Sequence, residues 1–248
     1  MNSPQPASQR QRLDELLVGR GLFASRSRAR DAIERGAVTV DGVVVRKAGH
    51  GAAHDAAIAI DDPAQAYVSR AALKLIAGLD HFGFDPGGSE ALDIGASTGG
   101  FTQVLLERNA AHVTAIDVGH GQIHAVIAAD PRVTVVQGLN ARELTLADLA
   151  GRTPDFLACD VSFISLKLAL PPALALAAAG AKAILLVKPQ FEAGREAIGK
   201  GGLLKNPDDA GRMAQELRQW LDAVPGWRAL GVHPSPIEGG DGNREFLL

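Results

Sequence analysis

The chain has 248 residues, a length that suits one large domain or two unequal ones. Apolar residues make up 46% of the chain but aromatic residues only 4%, so the predicted core is built from Leu, Val, Ile and Ala. The formal net charge of −3 argues against a protein that wraps nucleic acid along its whole length. Residues 1–50, however, hold nine basic and five acidic residues, a net charge of +4. A phosphate-bearing partner is therefore expected at that end of the chain.

The sequence favours a reducing compartment and gives no sign of a membrane protein. Its single cysteine, Cys159, cannot form an intrachain disulfide, so a cytoplasmic location is expected. Residues 1–9 are polar and lack the apolar core of a secretion signal, and we expect them to form a disordered tail. The longest apolar stretch, residues 168–181, is interrupted by Pro171 and Pro172 and is too short to span a bilayer. No membrane partner is therefore predicted.

Residues 10–62 are predicted to form a small α+β domain. An amphipathic helix is expected around Leu13–Leu17, and Ser25 is a favourable N-cap for a second helix, Arg26–Arg35. Two short runs rich in valine follow, joined by Asp41 and Gly42, a pair that supplies the positive φ angles of a type I′ turn. The pattern predicts two helices followed by a β-hairpin.

Three segments of this part closely resemble the alpha-L RNA-binding domain: RLDELLV from Arg12, SRSRAR from Ser25 and VTVDG from Val38. The resemblance implies that basic side chains contact RNA, namely Arg12, Arg26, Arg28, Arg30 and Lys47. A row of arginines on a helix is also typical of an ordinary solvated surface, and that alternative stays open because basic faces alone are unspecific.

Residues 63–70 are predicted to be a linker and residues 71–248 a second, larger domain of the α/β class. Strands and helices alternate there, which indicates a mostly parallel sheet with helices on both faces. A helix that begins near Ser69 carries Lys74 away from its apolar face. Seven strands are expected, at or near residues 91–94, 113–116, 133–136, 156–159, 183–187, 229–232 and, as a closing edge strand, 245–248.

The first of these strands runs into a loop of small residues, Gly95 to Gly100, before a helix that starts at Phe101. Such a loop lets the backbone approach a ligand closely, and the helix start directs free N–H groups towards it. The spacing excludes the dinucleotide fingerprint G-x-G-x-x-G, and no Walker lysine–serine pair is present. An acid two residues before G-x-x-x-G is typical of S-adenosylmethionine-dependent methyltransferases, although a tight turn in another α/β protein would look similar.

The candidate cofactor-binding residues are the acid, the loop and the residues near it. Asp117 ends the second strand, where an acid is suited to bind a ribose diol, and Asn140 after the third strand could meet the adenine edge. The full set is Asp93, Gly95, Ala96, Ser97, Thr98, Gly99, Gly100, Phe101, Asp117 and Asn140.

Two charged residues directly follow strands of the predicted sheet, Asp160 after 156–159 and Lys188 after 183–187. Ligands of open parallel sheets lie beyond the carboxyl ends of the strands, so both residues are expected near the glycine loop. Glu245 could reach the same rim if the last strand runs antiparallel. A lysine has an ordinary pKa near 10.4, but burial or a nearby cation can turn it into a base. A helix cap for Asp160 and a surface ion pair for Lys188 are the alternatives.

Six segments of the larger domain resemble the TlyA family, which joins an alpha-L domain to an FtsJ-like methyltransferase domain. They are residues 67–75, 93–102, 117–122, 159–166, 187–192 and 242–246. The resemblance implies 2′-O-methylation of cytidine in ribosomal RNA with S-adenosylmethionine, and a Lys-Asp-Lys-Glu tetrad of Lys74, Asp160, Lys188 and Glu245, with Lys188 central.

The partners expected from this resemblance are ribosomal RNA or ribosomal subunits. No metal is expected, and the sequence leaves the oligomeric state open, with a monomer favoured. Two other functions stay open. One is an RNA-binding ribosome-assembly factor with a vestigial methyltransferase pocket. The other is a membrane-active haemolysin, a label that some family members carry.

Overall fold

A computed structural model describes residues 10–240 and 242–248; the predicted tail, residues 1–9, lies outside them. The chain divides into two compact units between Ala66 and Tyr67. This division falls inside the predicted linker 63–70, where Pro63–Ala66 forms a single 3₁₀ turn.

The described part of the first unit, residues 10–66, contains two α-helices and five short strands. In chain order they are β1 Arg10–Arg12, α1 Leu13–Gly19, α2 Arg26–Arg35, β2 Val38–Val40, β3 Val43–Val44, β4 Gly51–Ala53 and β5 Ile58–Ile60. Strands β3, β2 and β5 form one antiparallel sheet and β1 pairs with β4. Leu13, Leu17, Ile33 and Val38 are fully buried between the helices and the sheet.

The predicted caps and hairpin turn of this unit are confirmed. Ser25 Oγ accepts a hydrogen bond from the backbone N–H of Arg28 at 3.3 Å, and helix α2 ends at Gly36 with φ +80°. Asp41 and Gly42 both have positive φ, +50° and +79°, as a type I′ turn between β2 and β3 requires.

The second unit is an α/β domain built on one seven-stranded sheet. Its strands are β6 Glu90–Ile94, β7 His112–Asp117, β8 Val133–Gln137, β9 Phe156–Cys159, β10 Lys182–Val187, β11 His233–Pro234 and β12 Phe246–Leu247. Its helices are α3 Ala72–Phe82, α4 Gly100–Glu107, α5 Ala125–Ala128, α6 Leu166–Ala169, α7 Pro171–Leu176, α8 Pro189–Glu192 and α9 Asp209–Asp222. The strand order is β11-β12-β10-β9-β6-β7-β8, parallel from β10 to β8 and antiparallel on both sides of β12. The predicted fold class is confirmed.

Successive residues of the central strands pack on opposite faces of this sheet, because side chains alternate along a strand. On β9 and β10, Leu157 and Leu185 belong to the core beneath α6, α7 and α9. Their neighbours Phe156 and Ile184 belong to the core beneath α3 and α4. Helices therefore cover both faces.

Two strand predictions near the carboxyl end are wrong in position. Residues 229–232 form no strand, because the backbone N–H of Ala229 donates to Asp222 Oδ1 at 2.8 Å instead of to a neighbouring strand. The short strand β11 begins just afterwards. Strand β12, predicted at the sheet edge, is an interior strand because β11 pairs with its free side.

Candidate active site

Strand register brings the candidate catalytic residues to one edge of the sheet. Ile94 pairs with Cys159 in the parallel region, so the next residues, Gly95 and Asp160, leave the sheet side by side. Val187 pairs with Phe246 in the antiparallel region, so continuing the register sets Lys188 opposite Glu245. The carboxyl ends of β6, β9 and β10 therefore meet the beginning of β12.

Lys188 is held by two oxygens of the loop after β9. Its Nζ lies 2.6 Å from Asp160 Oδ1 and donates a hydrogen bond of 2.7 Å to Ser162 Oγ. The contact with Asp160 is an ion pair. Lys188 is 8% exposed, so its ammonium group has little freedom to move.

Lys74 and Glu245 form a second ion pair, with Nζ 2.5 Å from Oε2. Both side chains are buried, which differs from the predicted position of Lys74 away from the apolar face. The cause lies one helical turn later: a Cβ at Gly78 would stand 2.8 Å from Ile184 Cγ2, so this glycine lets α3 lie close against β10. The close packing brings Lys74 to the strand ends.

A cleft of about 1290 Å³ opens at these strand ends, and Lys74, Lys188 and Glu245 are not among its lining residues. Four of the predicted cofactor-binding residues line it, namely Gly95, Ser97, Asp117 and Asn140, and so does Asp160. The cleft therefore joins the glycine loop to the carboxylate that contacts Lys188.

Gly95 permits the close approach of two loops at the base of the cleft. Its φ is +84°, and a Cβ there would stand only 2.8 Å from the backbone oxygen of Asp160. Gly99 also has positive φ, +96°, where the chain turns into α4. The glycines of the predicted turn thus leave part of its backbone uncovered by side chains next to the cleft.

Asp117 and Asn140 order the loops that line the cleft. Asp117 Oδ2 accepts from the backbone N–H of Ser97 at 2.8 Å, and its Oδ1 accepts from Gly119 at 2.7 Å. Asn140 Oδ1 accepts from the N–H of Arg142 at 3.1 Å. The side-chain oxygens of Asp117 and Asn140, which are predicted to bind a nucleoside, therefore already accept hydrogen bonds from the backbone of the loops that line the cleft.

The other predicted cofactor-binding residues do not line the cleft. Asp93 is wholly buried on the face of β6 that packs against α4, and its Oδ2 accepts from Thr102 Oγ1 at 2.6 Å. Phe101 is buried in the same core, Ala96 is buried, and Thr98 is exposed. Gly100 is packed tightly, because a Cβ there would stand 2.8 Å from Ser69 Cβ. These residues belong to the glycine loop and its packing and not to the lining of the cleft.

Burial raises the pKa of Asp93 to about 7. The hydrogen bond from Thr102 opposes this effect, and the nearby carboxylates of Asp160 and Asp117 add to it. Its Oδ1 has no hydrogen-bond partner among the described residues, which fits a carboxyl group that takes up a proton readily.

The predicted RNA-binding residues fall into two groups. Arg12 and Arg26 each lie 3.0 Å from a different oxygen of Asp14, a fully buried carboxylate. Arg28 donates to the backbone oxygen of Ala64. By contrast, the side chains of Arg30 and Lys47 are exposed and have no partner within the described residues. Only part of the predicted basic surface is therefore free to meet a phosphate.

Several residues in or next to the cleft escape prediction from the sequence. Phe163 is 90% exposed, has φ +64°, and lies with its ring centroid 5.0 Å from that of Phe191. The exposed residues Arg142 and Arg195 line the same cleft. Glu192 hydrogen-bonds to the loop after β9, as does Lys188. Only the segments 159–166 and 187–192, matched by resemblance, could have drawn attention to most of them.

Cys159 is buried in β9, and burial raises the pKa of its thiol to about 12, as expected of an inert core residue. Within residues 10–240 and 242–248, no group of three or more His, Cys, Asp or Glu side chains could hold a metal ion. In the same part of the chain, every helix is too short or too polar to cross a membrane.

Comparison with known proteins identifies both units. Residues 67–248 match the FtsJ-like methyltransferase family and residues 11–51 match the S4 domain. The chain is 42% identical to the Mycobacterium tuberculosis protein named 16S/23S rRNA (cytidine-2'-O)-methyltransferase TlyA, over 97% of this chain and 90% of that protein. It is 36% identical to Hemolysin A of Brachyspira hyodysenteriae, over 95% of this chain and 98% of that protein.

A solved structure of a hemolysin-named protein from Streptococcus thermophilus has 36% sequence identity and a TM-score of 0.71, covering 97% of this chain and 88% of that one. The similarity therefore extends over both units and not over the methyltransferase domain alone. The chain belongs to the TlyA family of FtsJ-like methyltransferases, with an S4 domain ahead of the methyltransferase domain.

Proposed function

We propose that this protein transfers a methyl group from S-adenosylmethionine to the ribose 2′-hydroxyl of a cytidine in ribosomal RNA. The observation that carries the proposal is Lys188, a nearly buried lysine fixed by Asp160 and Ser162 beside the cleft of the glycine loop. The choice of cytidine and of ribosomal RNA is supported by the name of the Mycobacterium tuberculosis relative.

The residues around the cleft fit S-adenosylmethionine. The glycine turn brings the backbone of Gly95 to the wall of the cleft, and Asp117 in the same wall is the acid suited to a ribose diol. Ser97 and Asn140 would complete the nucleoside contacts. When bound, the cofactor supplies a methyl group made electrophilic by its attachment to a positively charged sulfur.

Lys188 is our candidate for the group that positions the 2′ oxygen and, once it has released a proton and become a neutral amine, receives the proton of that hydroxyl. A ribose hydroxyl is a poor nucleophile, so alignment and proton removal are the two contributions that side chains can make. Asp160 and Ser162 restrict the position of Nζ, while the Lys74–Glu245 pair braces the adjoining end of β12. The exposed ring of Phe163 offers an unpaired base a stacking surface.

Lys188→Ala tests this proposal. We expect methyl transfer to ribosomal RNA to fall about 10²- to 10⁴-fold, the usual contribution of a proton-transfer group. Binding of S-adenosylmethionine, measured by calorimetry, should persist because the glycine loop is intact. The readout is transfer of radiolabelled methyl groups, followed by mapping of 2′-O-methyl positions in the RNA.

Lys182→Ala is the matched control, since Lys182 lies at the opposite end of β10 and contacts the ring of Phe84. This variant should retain wild-type activity. Methyl transfer at the wild-type rate by Lys188→Ala would contradict the proposed role of Lys188. A wild-type protein that binds ribosomal RNA but not S-adenosylmethionine would favour an assembly factor instead.

A further inference from the structure

Glu192 joins the two loops that follow β9 and β10. Its Oε2 accepts a hydrogen bond from Ser165 Oγ at 2.6 Å, and its Oε1 accepts from the backbone N–H of Leu166 at 2.8 Å. Residues 160–165, here called the β9 loop, thus end in a contact with the turn that carries Lys188. Because each carboxylate oxygen has its own donor, the contact fixes both distance and orientation.

The beginning of the β9 loop is tied to the same turn by a different residue. Lys188 Nζ contacts Asp160 and Ser162, which lie five and three residues before Ser165, the residue bound by Glu192. The β9 loop is therefore held at its start by Lys188 and at its end by Glu192.

The backbone between these ties needs external support. Phe163 has φ +64°, a left-handed conformation that costs a non-glycine residue roughly 1–2 kcal/mol. Its side chain is 90% exposed, so burial of the ring contributes little to offset this cost. Strained loop conformations persist when surrounding contacts over-determine them, and the Glu192 carboxylate supplies two such contacts.

We propose that Glu192 is a positioning residue for methyl transfer: it holds the β9 loop so that Asp160 and Ser162 stay in contact with Lys188. The inference rests on the proposed function. Glu192 does not line the cleft, so it acts through the loop and not on the cofactor or the RNA. Its role is geometric, and its negative charge is not required.

The geometric role distinguishes two substitutions. In Glu192→Ala both contacts disappear. In Glu192→Gln the amide oxygen can accept from Leu166 and the amide nitrogen can donate to Ser165 Oγ, because a hydroxyl oxygen has two lone pairs. Ser165 Oγ already accepts from the N–H of Lys167 at 3.2 Å, so one lone pair remains for this bond.

We expect Glu192→Ala to lower kcat about 10- to 100-fold, the size of effect that small misplacements produce. The Kd for S-adenosylmethionine and the KM for RNA should stay within about twofold, because only alignment is lost. Glu192→Gln should restore kcat to within about threefold of wild type. Hydrogen exchange in the unloaded protein should quicken in residues 161–170 of Glu192→Ala and remain slow in Glu192→Gln.

Glu196→Ala is the matched control, because Glu196 is exposed and its carboxylate has no partner within the described residues. Wild-type kcat in Glu192→Ala would overturn the proposal, and so would a Glu192→Gln variant as slow as Glu192→Ala. If Glu192→Ala does not fold, Ser165→Ala removes one contact and should lower kcat several-fold; an unchanged kcat there overturns the proposal. If the wild type transfers no methyl group, the proposed function fails, whereas the exchange comparison still tests whether Glu192 holds the loop.

Discussion

Asp93 is a carboxyl group with no access to water, and its Oδ2 accepts a hydrogen bond from Thr102 Oγ1. Taking a carboxylate out of water favours its protonated form unless enough donors surround it. Burial outweighs the hydrogen bonds from the side chain and backbone of Thr102, which is why the pKa of Asp93 rises to about 7 from an ordinary 3.8. The residue thus couples the stability of the domain to pH.

The direction of this coupling follows from the raised pKa. The folded state binds the proton more tightly than the unfolded state, so the stabilisation is complete below about pH 4 and is lost as the pH rises through about 7. Between these values we expect the free energy of unfolding to fall by up to about 1.4 kcal/mol per pH unit from this group. Asp93→Asn should lack this component when urea denaturation is measured from pH 4 to 8. Identical pH profiles for the two proteins would contradict the assignment.

At the scale of the element, the turn between β6 and α4 depends on Gly95. Its positive φ and the nearness of the Asp160 backbone act together, since an alanine would be strained in conformation and would also collide. The backbones of the turn and of the β9 loop are therefore in close contact with no side chain between them, and the shape of the cleft depends on the distance between the two loops.

Gly95→Ala should weaken S-adenosylmethionine binding and methyl transfer together, because the methyl group displaces the backbone of Asp160. The conformational strain alone costs roughly 1–2 kcal/mol. Calorimetry with the cofactor and thermal melting would measure both effects. As the control, Gly211→Ala on α9 adds a methyl group with no atom within 4 Å and should be neutral or slightly stabilising. Unchanged cofactor affinity in Gly95→Ala would contradict this account.

Elements with strong local signals were predictable from the sequence. Helix α2 begins after Ser25 and ends at Gly36 as predicted, and β9 has its predicted bounds, Phe156–Cys159. Local signals failed where a tertiary contact decided the outcome. The apolar run at Ala229 forms no strand because the backbone N–H of Ala229 donates its hydrogen bond to the side chain of Asp222. Nothing near Ala229 in the sequence predicts that contact.

The site was predictable only in part for the same reason. Asp160 and Lys188 could be found because residues at strand ends converge in a parallel sheet. Lys74 and Glu245 are 171 positions apart, and only resemblance to a family related them before the structure did. The motif predicts a cofactor contact for Asp93 but says nothing about the face of β6 to which a side chain points, and in the structure Asp93 is buried against Thr102.

At the scale of the whole molecule, charge is divided along the chain. Residues 1–50 carry a net charge of +4, which leaves 16 basic and 23 acidic residues, a net charge of −7, for the remainder. Attraction to RNA is therefore expected from the first unit. Within it, burial alone would raise the pKa of Asp14, but Arg12 and Arg26 outweigh burial and lower it. Those two arginines stabilise the unit itself.

Arg30→Ala and Lys47→Ala should each weaken binding to ribosomal RNA and reduce the salt slope of binding by about 1, because each removes a free phosphate contact. Arg26→Ala should instead lower stability by roughly 1 kcal/mol, a value reduced by the solvent exposure of Arg26. Filter binding at several salt concentrations and thermal melting separate the two effects. Equal loss of RNA affinity in all three variants, with unchanged stability, would contradict this division.

The position of Glu245 also has a consequence for biosynthesis. A chain made from its amino end exposes the basic unit first and completes the glycine loop long before the partner of Lys74 leaves the ribosome, because 171 positions separate the two residues. Strand β12 must then enter between β10 and β11. Under the proposed function, the nascent chain would bind RNA through its first unit before its second unit was able to methylate that RNA. The order of translation alone would therefore delay the onset of catalysis.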